Sequence, residues 1–91
     1  MCGSMIPKIA IDALKKGKVD IRVMRSGTLQ FQTFEVKRID SPIGKFPVLF
    51  LDKFVDLSEL LRIAEDFQLP VFTKNGQIFP KGKSAKDFAG L

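Results

Sequence analysis

Apolar residues recur along this chain with two different periods, and the change of period marks its elements. Ile6, Ile9, Ala10, Ala13 and Leu14 fall at the i, i+3, i+4, i+7, i+8 spacing of one helix face. Pro7 is tolerated in the first turn, Lys15 and Lys16 suit the last, and Gly17 is a natural stop. The period then drops to two. Val19, Ile21 and Val23 alternate with Lys18, Asp20 and Arg22, and Leu29 and Phe31 alternate with Gln30 and Gln32, which predicts the two strands of a hairpin. A two-residue loop at Ser26-Gly27 would set Val23 against Gln30 and mix the faces. A three-residue loop, Arg25-Ser26-Gly27, sets Val23 against Leu29 and Ile21 against Phe31, with Gly27 at the position that needs a positive φ. Segregation of the faces favours the second register. Past Thr33 the alternation slips, because Phe34 and Val36 are apolar where polar residues are due. A β-bulge near Thr33–Phe34 restores it; the alternative is a strand covered on both faces.

Ser41-Pro42-Ile43-Gly44 reads as a turn, and the unbroken apolar run Phe46–Leu51 as a central strand buried on both faces. Asp56-Leu57-Ser58-Glu59 opens the clearest helix like a capping box, with Val55 and Leu60 placed as a hydrophobic staple. Leu57, Leu60, Leu61, Ala64 and Phe67 form its apolar stripe, and Pro70 forbids continuation. Val71-Phe72-Thr73 and Gln77-Ile78-Phe79 flank Lys74-Asn75-Gly76, a hairpin signal, and Ser84–Asp87 caps a last short helix. The order α-β-β-β-α-β-β-α predicts a two-layer α+β domain with a mixed, mainly antiparallel sheet. Strand 46–51, helix 57–67 and strand 71–74 suit a right-handed parallel crossover. The expected core is Val19, Ile21, Val23, Leu29, Phe31, Val48, Phe50, Leu60, Leu61, Ala64 and Phe67. No linker or repeat divides residues 5–91, which read as one domain. Met1-Cys2-Gly3-Ser4 reads as a cloning scar ahead of a second Met.

Composition narrows the chemistry. Among 91 residues there is no His, Trp or Tyr, and the single Cys is at position 2. Nucleophile–base pairs and the common zinc sites need what is missing here, so the chain is expected not to be an enzyme and to hold neither metal nor cofactor. Neither a signal peptide nor an apolar run long enough to span a bilayer is readable, so a soluble cytoplasmic protein without a membrane partner is expected. The net charge of +5 is uneven: residues 1–40 hold eight basic and four acidic groups, 41–72 three and five, 73–91 four and one. Basic flanks around an acidic middle can gather phosphates, or merely keep a small domain soluble.

Three motifs invite a chemical reading. Gly82-Lys83-Ser84 ends like a phosphate loop, but five residues separate Gly76 from Gly82, Pro80 removes a donor, and only seven residues follow Ser84. A solvated basic loop fits better. Asp52 ends an apolar strand, where α/β proteins often keep catalytic acids, yet one acid in a turn needs no such role. Leu69–Ile78, with Gly82 and Ser84, resembles the closing half of a thioredoxin-like domain, which implies a helix, a strand led by a usually cis Pro, a hairpin and a helix. It departs from that family in having no Cys-x-x-Cys and in the hairpin read over residues 18–39, which puts thiol redox activity aside.

The leading expectation is a small binding domain that takes nucleic acid weakly and with little sequence preference. Lys18, Arg22, Lys37 and Arg38 from the hairpin region and Lys74, Lys81, Lys83 and Lys86 from the tail would meet the phosphates. The hairpin's polar face is expected to hold Lys18, Asp20, Arg22, Gln30 and Gln32, with Phe34 the one aromatic candidate for that face. The alternative is an interaction or structural module that forms a homodimer, including a cysteine-less thioredoxin-like domain.

Overall fold

A computed structural model describes residues 7–89. The proposed scar, Cys2 and Ile6 lie outside the described residues. Helix α1 (Lys8–Lys16) leads through Gly17, in the left-handed conformation at φ 79°, into β1 (Lys18–Arg25). Then come β2 (Thr28–Ser41), β3 (Gly44–Leu51), α2 (Leu57–Phe67), β4 (Val71–Thr73), β5 (Gly76–Ile78) and a 3-10 turn, Ala85–Asp87. This is an α+β domain whose five strands lie in chain order, β1-β2-β3-β4-β5. All neighbours are antiparallel except β3 and β4, the parallel pair joined by α2.

The first hairpin takes the register that mixes faces. Arg25 pairs with Thr28, Val23 with Gln30 and Ile21 with Gln32, so the loop is Ser26-Gly27 and not the predicted three residues. Both loop residues have positive φ, 51° and 76°, as in the hairpin turns whose twist matches the strands. There is no bulge at Thr33–Phe34: pairing runs unbroken from Lys18↔Glu35 to Arg25↔Thr28. Phe31 and Phe34 have opposite parity, so an unbulged strand covered on one face only can bury just one of them. Phe34 and Val36, which continue toward Val36↔Leu49, win the inward face, and Phe34 is fully buried. Leu29 and Phe31, expected in the core, are 58% and 70% exposed.

Cross-strand partners share a face, so the register sorts the whole sheet. Ile21, Val23, Phe34, Val36, Leu49, Leu51, Val71, Thr73 and Gly76 stand on one side. That side faces α2, because a Cβ on Gly76 would lie 3.1 Å from Leu57 Cδ2. Against it α2 buries Leu60, Ile63, Ala64 and Phe67, again an i, i+3, i+4, i+7 stripe. The helix is thus rotated from the predicted face: Ile63 goes in, while Leu57 and Leu61 stay exposed. In α1, likewise, Ala10 and Ala13 are covered and Ile9 is not. Phe46, Val48, Phe50 and Phe72 occupy the opposite side, under Phe79, whose ring centroid lies 6.1 Å from Phe46, 6.3 Å from Phe72 and 6.1 Å from Phe88. The run Phe46–Leu51 of β3 is therefore enclosed on both faces, as its apolar character predicts, with only Phe50 of the run half-exposed.

Val55 and Leu60 are both buried as a staple should be, but the Asp56 side chain makes no cap. Glu59, its intended partner, instead accepts from Arg62 at 2.8 Å. The capping box appears at Ser84 and Asp87. No cis peptide occurs among the described residues, so the bond before Pro70 is trans, against the thioredoxin-like pattern.

Candidate nucleic-acid interface on the first hairpin

Beyond the reach of the Phe79 cluster, the face opposite α2 lies open over β1 and β2. Its rows are Lys18, Asp20, Arg22 and Met24 on β1 and Leu29, Phe31, Thr33, Glu35 and Lys37 on β2. Arg22 stands directly opposite Phe31, and Met24 opposite Leu29. Thr33 Oγ1 donates to Asp20 Oδ1 at 2.6 Å, which ties up one of the two acids on the face. The other, Glu35, has Lys37 Nζ at 3.5 Å, and the same ammonium sits 4.3 Å from the centre of the half-exposed Phe50 ring. An exposed aromatic with Arg22 across from it and Lys18 and Lys37 further along the same face is an arrangement that can stack a base and neutralise nearby phosphates.

Of the eight basic residues singled out in the sequence, this face brings together three: Lys18, Arg22 and Lys37. Arg38 alternates to the other side of β2, opposite Pro47. Lys74 lies in the β4–β5 turn with its Nζ 3.4 Å from Asp52 Oδ1, which leaves Asp52 in an exposed ion pair. Lys81, Lys83 and Lys86 are exposed on the C-terminal segment. Gln30 and Gln32, expected beside Arg22, stand on the opposite face with Val23 and Ile21. Phe34, the aromatic candidate, is buried, and Phe31 takes that role. The sequence carried the signal for this: Phe34 and Val36 share a parity that Phe31 does not.

The basic loop is already engaged. Lys83 N–H donates to Pro80 O at 2.9 Å and Ser84 N–H to Asp87 Oδ2 at 2.8 Å, so neither is free to cradle a phosphate. Lys81 N–H donates to the Glu65 carboxylate. Among the described residues no group of three His, Cys, Asp or Glu is placed to hold a metal, and no helix is long and apolar enough to cross a membrane. No protein-family model, curated protein or solved structure matches this chain.

Proposed function

We propose that the chain is a non-enzymatic, cytoplasmic binding domain that takes single-stranded nucleic acid on the open face of the β1–β2 hairpin. The observation that carries this reading is Phe31, 70% exposed directly across from Arg22, with Lys18 and Lys37 on the same face. An apolar ring held out in water by a paired strand is a platform on which an unpaired base can stack, whatever its identity. The three cations would follow the backbone, and the two acids on the face keep affinity low. A duplex hides its bases, so the ring favours single strands.

The test is titration of a labelled oligothymidylate at 50 and 200 mM salt. With about three phosphates neutralised, log K should fall against log salt with a slope near −2 for a single strand. Phe31→Ala should weaken binding by ~1–3 kcal/mol, about 5- to 150-fold. Absence of binding at the lower salt, or a Phe31→Ala variant that binds like the parent, sinks the proposal.

A further inference from the structure

We infer that β2 is the seam of a homodimer, in which residues 29–33 pair antiparallel with the same residues of a second copy. The strand is long enough to serve two neighbours unequally. Its residues 28–35 pair with β1, but β3 accompanies it only from Glu35 to Ser41 before the chain departs toward α2. The far edge of residues 28–33 has no strand against it among the described residues.

The direction of the backbone groups can be read from β1. Arg62 Nη2 donates to the Arg22 carbonyl at 2.5 Å from α2, so that carbonyl points away from β2. In an antiparallel ladder, pairs that exchange hydrogen bonds alternate with pairs whose groups point outward. Arg22↔Phe31 is therefore an outward pair, and so are Met24↔Leu29 and Asp20↔Thr33. Leu29, Phe31 and Thr33 present their N–H and C=O groups in a row along the open edge. Glu35, next in that row, meets Phe50 of β3.

The two edges of the hairpin are guarded differently. β1 carries Lys18, Asp20 and Arg22 and is covered at Arg22 by Arg62. From Ser26 to Phe34 there is no charge and no proline, the residues that usually protect a free edge. That composition selects a copy of itself as occupant. A strand of Thr, Leu, Gln and Phe meets its own copy with no like-charge repulsion. Centring the two-fold on Phe31 sets Phe31 against Phe31, Gln30 against Gln32 and Leu29 against Thr33, each from opposite copies. The two open faces then join into one sheet surface with both Phe31 rings on it. A seam of five residues per copy is a small interface, so a micromolar dissociation constant is expected. The inference rests on the edge and not on nucleic-acid binding.

Sedimentation equilibrium of the full chain, with no nucleic acid present, should give twice the 10.2 kDa chain mass at high concentration. Leu29→Lys with Thr33→Lys places like charges across the seam twice and should return the monomer mass. Leu29→Lys with Thr33→Glu places opposite charges at the same two points and should restore the dimer, which separates a broken seam from a misfolded hairpin. A parent chain that stays monomeric at millimolar concentration overturns the inference. So does a dimer indifferent to the like-charge pair, or a complementary variant that stays monomeric.

Discussion

The first and last hairpins of this domain each close over a two-residue loop, with positive φ at both loop residues in the first and at neither Lys74 nor Asn75 in the last, and they are held in opposite ways. In β4–β5 almost every group is tied down. Asn75 Nδ2 donates to Val55 O at 2.7 Å, and Asn75 Oδ1 accepts from Val55 N–H at 3.2 Å and from Thr73 Oγ1 at 2.7 Å. Gly76 lies against Leu57, and Val71 is fully buried. The β1–β2 hairpin is longer but buries one face only, and leaves Met24, Leu29 and Phe31 in water and one edge of β2 unpaired. The short hairpin completes the core under α2. The long one has surface to spare, and both functional proposals lie on it.

The largest effect should come from emptying the space under α2. Leu60→Ala removes a fully buried side chain and should cost ~2–5 kcal/mol in a urea melt. Phe31→Ala removes a larger side chain from water and should change stability by about 0.5 kcal/mol or less. If the two losses were equal, the contrast between the regions would be wrong. Asn75→Ala comes next: it strips a buried residue, Val55, of both backbone partners and should cost about 1–3 kcal/mol in the same melt. A loss too small to measure would mean that water replaces the clamp at no cost. The smallest effect is a gain in the long hairpin. Ser26→Gly relieves a non-glycine residue at φ 51°, offset in part by the greater freedom of Gly in the unfolded chain, and should raise stability by roughly 0.5 kcal/mol. A thermal melt in which Ser26→Gly is clearly less stable than the parent would show that the serine side chain holds the turn.

The candidate face was half legible from the sequence. Lys18 and Arg22 follow from strict alternation on β1, and both lie where that alternation puts them. The aromatic on the face did not follow, because assigning it requires the register of β2. Face segregation over residues 19–31 points one way, and the positive-φ turn together with the parity of Phe34 and Val36 points the other. The second pair of constraints prevails, since β2 must remain one strand as it passes from β1 to β3. Shifting the register by one residue would exchange Phe34 for Phe31 in the core and carry Val36 out with it. The face of α2 was misread for a related reason. Leu57, Leu60, Leu61, Ala64 and Phe67 make as good a stripe as Leu60, Ile63, Ala64 and Phe67, and only the sheet beneath chooses between them.

What the sequence by itself determined is the α+β class, the order of the elements and most of their ends. The stop at Gly17, the enclosed strand at Phe46–Leu51, the break at Pro70 and the cap at Ser84 are all recovered, and the turn read over Lys74–Gly76 is there but closes one residue earlier, with Gly76 already in β5. These depend on backbone preferences and periods that act within a few residues. The tertiary structure alone decided which side of each element faces inward: Phe34 over Phe31, Ile63 over Leu61, Gln30 and Gln32 on the α2 side. A period shows that an element has two faces, but which of them is buried depends on partners dozens of residues away.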